Sequence, residues 1–329
     1  AAGECFEFAM IYTDPLNCPT SGVVQVWIDL DGGGYDGSEQ FDMVEDDSLD
    51  ADCTDGKVYR YTTIISPTGI YNYRFHANDD SDDGVGEATT ASTVEVIDAV
   101  AVHAGVETIQ SAISHDVTIL VYEGTYTENL SYTTGQGNNS NITLQSVCGP
   151  EVTIIQANDP TGNTVYIQGV SNTVIDGFTI TGGTYGITLN GGVTVKNSII
   201  ENNTGRGIYA ITTASVLDLQ DTIIRNHTSA LSGAGIFFNS GGPHSITGSV
   251  ITNNTSTGGN GAGIFLQNSS FGLTIEDTII SNNTLPNSGF GVGLGAGVFC
   301  TRSNNVDINR VAISSNTAAV VGGGLYLKD

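Results

Sequence analysis

Two kinds of short apolar run alternate along the second part of the chain. One is a pair of aliphatics followed by amides: Ile199-Ile200-Glu201-Asn202-Asn203-Thr204, Ile223-Ile224-Arg225-Asn226-His227-Thr228, Val250-Ile251-Thr252-Asn253-Asn254-Thr255 and Ile279-Ile280-Ser281-Asn282-Asn283-Thr284. The other is led by glycine: Gly235-Ile236-Phe237-Phe238, Gly263-Ile264-Phe265-Leu266, Gly297-Val298-Phe299-Cys300 and Gly324-Leu325-Tyr326-Leu327. Runs this short, rich in Ile, Val and Thr and separated by Gly and Asn clusters, predict strands joined by tight turns. Only Thr108–Ile113 has the amphipathic pattern of a short helix. Both phrases return at irregular intervals of about two to three dozen residues, as expected of a solenoid whose copies stack.

Residues 1–98 lack these phrases. Cys5–Tyr12, Val23–Leu30, Val58–Ile65, Ile70–Ala77 and Thr93–Ile97 read as alternating strands between loops rich in Asp, Gly and Ser, which predicts a β-sandwich. The stretch Gly69-Ile70-Tyr71-Asn72-Tyr73-Arg74-Phe75-His76-Ala77-Asn78-Asp79 resembles the late strand of Ig-like modules in bacterial and archaeal surface proteins. In those modules a Gly-x-Tyr-x-Tyr-x-Phe stretch precedes an acidic turn.

Beyond residue 99 the helical segment is followed by Val117-Thr118-Ile119-Leu120-Val121-Tyr122-Glu123-Gly124-Thr125-Tyr126-Thr127-Glu128-Asn129-Leu130. This closely resembles the opening of right-handed parallel β-helix proteins, the pectin-lyase-like superfamily. There a capping helix covers the first coil and a Gly-x-Tyr-x-Glu turn leads into the second. The resemblance implies an all-β chain: an N-terminal Ig-like β-sandwich (1–98), then a right-handed parallel β-helix with an N-terminal capping helix (99–329). It leaves activity open, because the superfold carries lyases, hydrolases, phage spikes and adhesins.

Strand alternation assigns faces. In the glycine-led strand, Ile208, Ile236, Ile264, Val298 and Leu325 are expected inside, with Ala210, Phe238, Leu266, Cys300 and Leu327. The member between them then faces outward. Tyr209, Phe237, Phe265, Phe299 and Tyr326 are therefore expected as an external aromatic file, one ring about every 4.8 Å. Such a patch suits docking of a protein chain or stacking on sugar rings, unless long turns such as Leu285–Leu294 cover it. Asn202, Asn226, Asn253 and Asn282 align by motif and are expected as an internal amide ladder. They also begin Asn-x-Thr sequons, where glycosylation would conflict with burial. Asn129-Leu130-Ser131 and Asn138-Asn139-Ser140 are more loop-like sequons.

The candidate chemistry is sparse. Gly-His-Gly and Arg-Ile-Lys elements are absent, and His103, His115, His227 and His244 are scattered. Alignment on the aliphatic pair puts Asp221, Gly248, Asp277 and Arg310 in one file. Asp221 and Asp277 would lie two coils apart, about 9.6 Å, near the upper end for an inverting carboxylate pair. Asp277 beside Arg310 reads more simply as a surface ion pair. No catalytic residue is assigned. Two acidic loops suit Ca²⁺. Asp79-Asp80-Ser81-Asp82-Asp83-Gly84 offers Asp79, Ser81 and Asp83, without the twelfth-position Glu of an EF-hand. Asp29-Leu30-Asp31-Gly32 offers Asp29 and Asp31, with Asp36 and Glu39 nearby.

Composition narrows the partners. Of 329 residues, 35 are Asp or Glu and 9 are Lys or Arg, a net charge of −26. That argues against nucleic acid and anionic lipid, and for divalent cations or simple colloidal solubility. No run of about 18 apolar residues predicts a membrane-spanning helix. Ala1-Ala2-Gly3-Glu4 suits a mature end left by signal cleavage. Of the five cysteines, Cys5, Cys18 and Cys53 could pair with one another in a secreted protein. Cys148 and Cys300 lie too many coils apart to bridge, nearly 30 Å against a limit of about 7 Å. Gly322–Asp329 stops one strand into a coil, and an uncovered coil end is a pairing template, so either more chain follows or another subunit covers that end. The expectation is a secreted or cell-surface, non-catalytic structural protein that self-assembles head-to-tail or laterally into a filament or layer, or acts as an adhesin. The alternative is a β-helix protein that binds or cleaves polysaccharide, with glycans as partners.

Overall fold

The computed structural model describes residues 5–13, 24–46, 54, 56–65, 68–77, 92–96, 99–114, 117–133, 141–268, 272–286, 293–302 and 305–328. It divides into two compact units, Ala1–Ala99 and Val100–Asp329.

The first unit is antiparallel. Its strands are β1 (Cys5–Tyr12), β2 (Val24–Asp29), β3 (Gln40–Asp42), β4 (Val44–Glu45), β5 (Lys57–Ile64), β6 (Gly69–Ala77) and β7 (Ser92–Val96). They form two sheets, ordered β1-β5-β4 and β3-β2-β6-β7. Strand β2 alternates strictly: Val24, Val26 and Ile28 are buried among Phe8, Met43, Tyr59 and Tyr71, while Gln25, Trp27 and Asp29 point away. Short β3 and β4 are additions to the expected strands, too brief to carry a period. Cys18, Cys53 and the Asp79–Asp83 loop lie outside the described residues, as does the side chain of Cys5.

The second unit is a stack of parallel strands. Sheet a has nine strands, from Val100–Val102 to Val306–Asn309. Sheet b has eight, from Gly124–Thr127 to Ala312–Ser314. Sheet c has eight, from Leu130–Thr133 to Leu325–Lys328. Each coil visits a, b and c in turn and pairs in register with the next: Ile224 on Ile251 on Ile280, and Ile236 on Ile264 on Val298. The inward positions form one continuous apolar core that includes Cys300, whereas Leu325 and Leu327, expected inside, are exposed because no further described strand stacks on theirs. Burial pushes the Cys300 thiol up to about 12.

The first coil is closed by helix α1 (Ile109–Ala112). Ile109 is fully buried in the solenoid core. The Gly-x-Tyr-x-Glu turn explains how the helix is held. The Tyr126 hydroxyl donates to the carbonyls of Val102 and Tyr122 at 3.0 and 2.9 Å. The Glu128 carboxylate accepts from the backbone N–H groups of Ile109 and Gln110 at 2.8 and 2.9 Å, satisfying orphan donors at the helix start.

Candidate functional site

The expected aromatic file exists on the outer side of sheet c. Tyr209, Phe237, Phe265, Phe299 and Tyr326 are successive register partners. Phe237, Phe265 and Phe299 stack at 5.0 Å between ring centroids, nearly parallel, and Tyr326 continues the stack at 5.4 Å. Tyr209 meets Phe237 edge-on, and Tyr185 extends the file beyond it.

The file is not an open apolar face, which corrects the expectation from strand parity. Phe237, Phe265 and Phe299 are buried, Phe299 to 4% exposure, and they form a second small core with Leu294. The cause is an arm added to the later coils. In the earlier coil only Thr204-Gly205-Arg206 separates Asn203 from the glycine-led strand. From His227 onward the spacer is longer. Its first part pairs as a fourth parallel sheet, d, made of Thr228–Ser229, Thr255–Ser256, Thr284–Leu285 and Thr317–Ala318. The chain then returns across the rings. Gly261 shows how close it comes: at φ +56°, an added Cβ would lie 3.0 Å from the Phe265 Cα and 2.3 Å from the Ile264 carbonyl oxygen.

Where that arm is missing, Arg206 caps the file. It is 4% exposed, lies 4.4 Å over Tyr209 and 4.2 Å over Phe237, and donates Nε–H to the Ser232 carbonyl at 2.9 Å. Burial lowers its pKa, offset in part by Tyr209 and Tyr185.

The amide ladder also exists, displaced by one residue. Asn202, Asn226, Asn253 and Asn282 are exposed and occupy the left-handed region, at φ 54°, 61°, 56° and 55°. They turn the corner after sheet b, a conformation Asn tolerates better than most residues. The next residue points inward: Asn203, His227, Asn254 and Asn283 are buried, and Asn316 extends the file. Asn254 Nδ2 donates to Asn283 Oδ1, and Asn283 Nδ2 to Asn316 Oδ1, each at 3.0 Å. The histidine fits the same file. His227 Nδ1 accepts from the Asn203 N–H at 3.2 Å, and Nε2 donates to the Ile200 carbonyl at 3.0 Å. Burial drops its pKa to about 4. His244 is likewise neutral and structural: it stacks on Phe238 at 4.2 Å and accepts from the Leu217 N–H, with a pKa of about 4 from burial. The sequon asparagines thus face solvent, contrary to the expected burial.

A second polar file had no counterpart in the sequence reading. Ser198, Thr222, Ser249 and Thr278 are buried at the corner between sheets a and b. Each donates its hydroxyl to the carbonyl two residues earlier, at 2.7–2.9 Å. The signal was present: a Ser or Thr precedes every aliphatic pair.

Asp221, Gly248, Asp277 and Arg310 share one corner file, all with positive φ. Arg310 Nε and Nη2 donate to both Asp277 oxygens at 2.6 and 2.8 Å and also engage Glu276. The Arg310 guanidinium holds the exposed Asp277 carboxyl below its usual range. In the first unit, carboxylate oxygens of Asp29, Asp31 and Glu39 all lie within 4.8 Å of one another. Glu39 is 4% exposed and accepts from the Leu30 N–H at 2.6 Å. Asp36 stands apart from the cluster: its carboxylate accepts from the Ser38 N–H and hydroxyl, which lower its pKa. Among the described residues no helix is long and apolar enough to cross a membrane.

Residues 106–258, and again 165–328, match the family described as the right handed beta helix region. No curated protein matches. Among solved structures, a pectin methylesterase mutant in complex with a hexasaccharide is 14% identical, covering 68% of this chain and 82% of its own, with a TM-score of 0.41. The pectin methylesterase of Aspergillus niger is also 14% identical, covering 67% and 85%, with a TM-score of 0.33. A family 28 exopolygalacturonase of Yersinia enterocolitica is 11% identical, covering 99% and 96%, with a TM-score of 0.28. Likenesses this distant lend no weight to any activity.

Proposed function

The chain belongs to the right-handed β-helix family through residues 106–328, and on that premise we propose that it is a secreted, non-catalytic structural protein of the cell surface. In this reading the first unit is an Ig-like module. The solenoid is a scaffold that associates with further copies into an extracellular filament or layer, or presents an adhesive surface. One observation carries the reading: outward ring positions on successive coils are spent on stacking against one another beneath the arms, not on reaching a substrate. The engagement of Asp277 by Arg310 points the same way, since a carboxylate held by a guanidinium is a poor general acid or base. Ca²⁺ is the proposed ion for Asp29, Asp31 and Glu39, because clustered oxygen ligands suit a hard cation.

Negative-stain microscopy and sedimentation of the purified protein test the proposal. Polymers or ordered layers are expected. A strictly monomeric species at high concentration overturns the assembly, and turnover on a glycan panel overturns the non-catalytic reading.

A second reading, glycan binding, is favoured by one feature. Tyr185 and Tyr209, at the armless end of the file, are only half-buried. Loss of glycan binding in Tyr209→Ala with assembly unchanged would select it.

A further inference from the structure

The backbone does not require asparagine at the corner after sheet b. The corner between sheets a and b takes the same left-handed conformation, at φ 49°, 46°, 63°, 50° and 52°, with Asn197, Asp221, Gly248, Asp277 and Arg310. That mixture is what the conformation alone selects. After sheet b, Asn202, Asn226, Asn253 and Asn282 stand at φ 54°, 61°, 56° and 55°. In the last coil Ser315 makes the same turn at φ 54°.

Hydrogen bonding does not require these amides either. Asn282 Nδ2 reaches the Ser281 hydroxyl only at 3.5 Å. Among the described residues, the side chains of Asn202, Asn226 and Asn253 bond to nothing, and all four asparagines are exposed. Two residues further on, each copy carries threonine: Thr204, Thr228, Thr255 and Thr284. Thr228, Thr255 and Thr284 are register partners on sheet d and turn outward, whereas Ser229, Ser256 and Leu285 turn inward. Strand geometry asks there for a β-branched side chain, and Val would serve as well as Thr.

The fold thus leaves one pair unexplained on four successive coils: a solvent-facing amide, and a hydroxyl two residues later. That pair is the acceptor signature of N-linked sugar transfer. We propose that the corner file is a modification site and that Asn202, Asn226, Asn253 and Asn282 carry N-linked glycans. The inference rests on the secreted reading above, because the sugar donor is met during export.

The structure separates this file from other sequons. Asn254-Thr255-Ser256 overlaps the third copy, but Asn254 is fully buried, and its Nδ2 donates to the Ile224 carbonyl and to Asn283 Oδ1 at 3.2 and 3.0 Å. In Asn129-Leu130-Ser131, Asn129 Nδ2 donates to the carbonyls of Asn163 and Asp159 at 2.6 and 3.2 Å. A sugar on either nitrogen would displace those contacts. On the corner file it displaces none.

In the transfer, the asparagine Nδ2 bonds to the anomeric carbon of an oligosaccharide carried on a polyprenyl diphosphate. The bond from that carbon to the diphosphate oxygen breaks, polyprenyl diphosphate leaves with the electron pair, and the amide gives up one proton. The middle residues of the four sequons, Asn203, His227, Asn254 and Asn283, are buried in the folded solenoid. The sequons are therefore read before the coils close, and the fold has only to leave room for the product.

The test uses the full chain from its native source. Cell fractions are assayed for the chain. Glycopeptides of the recovered protein are mapped by mass spectrometry, with and without an amidase that releases N-linked sugars and leaves Asp. Sugar is expected on the corner file, at Asn253 and not Asn254 where the two sequons overlap, with Asn129 bare. In the same host, Thr255→Val leaves Asn253 and its turn in place and should remove the sugar from Asn253, whereas Thr255→Ser should keep it. An exported chain with a bare file overturns the glycan site and leaves the secreted reading standing. A chain retained inside the cell overturns the secreted reading and the glycan site with it. Sugar on Asn254 or Asn129 as abundant as on the file, or retained on Asn253 in Thr255→Val, overturns the assignment.

Discussion

Asn254 donates its side-chain amide to the side-chain carbonyl of Asn283, 3.0 Å away on the next coil, while Asn253 and Asn282 face solvent one residue earlier. Adjacent residues of one type therefore have opposite roles. Asn283→Ala should cost about 2–4 kcal/mol, because it removes the acceptor of the buried Asn254 N–H and side-chain amide. Asn282→Ala loses only the tolerance of Asn for positive φ, about 1 kcal/mol. Denaturant melts of the two variants check the order. Equal costs would contradict the one-residue placement.

Phe265 lies between Phe237 and Phe299 beneath the arms. Phe265→Ala should destabilise the solenoid by about 3–5 kcal/mol, the range for a large-to-small change in a packed core. An open surface ring would cost no more than about 0.5 kcal/mol. Thermal or denaturant unfolding separates these values.

His227 and His244 are neutral in the folded state, each with a pKa of about 4 from burial. The unfolded chain titrates them near 6.5, so it binds more protons than the folded chain between these values. Stability should fall as pH drops from about 6.5 to about 4 and level off below, by roughly 3 kcal/mol per histidine. His227→Asn supplies the residue that other coils use in the ladder. It should keep the fold and remove about half of this pH dependence. Denaturant midpoints at pH 7 and pH 4.5 provide the measurement.

Asp29, Asp31 and Glu39 predict Ca²⁺-dependent stability of the first unit. Ca²⁺ at about 100 times its dissociation constant should add about 2.7 kcal/mol. Asp31→Asn should abolish most of that gain. Calorimetry with Ca²⁺ and with EDTA is decisive: identical melting in the two buffers removes the site.

Much of the second unit was legible because its phrases repeat. The pairing of Phe237 with Phe265, and of Ile251 with Ile280, follows once equivalent residues are set one above another. The helix at Ile109–Ala112 was announced by its amphipathic run, and Cys300 by its place in an inward column. The ladder was found in type and missed in position. Asn-Asn satisfies both the corner and the ladder, so three copies are symmetric to the swap. Asn226-His227 and Ser315-Asn316 break the symmetry in opposite directions: the first has its one asparagine at the corner, the second has it in the ladder. In the first unit, Glu39 and not Asp36 joins Asp29 and Asp31, because Asp36 turns to Ser38 within the loop.

The sequence by itself determined which residues stack and which side of the glycine-led strand each occupies, because register and alternation are properties of the local main chain repeated coil after coil. The tertiary structure alone decided what each outward side meets. The rings became a second core because the spacers after His227, Asn254 and Asn283 pair as sheet d and fold back over them. Burial there is set by contacts between segments far apart in the chain, and no period within a single strand encodes it.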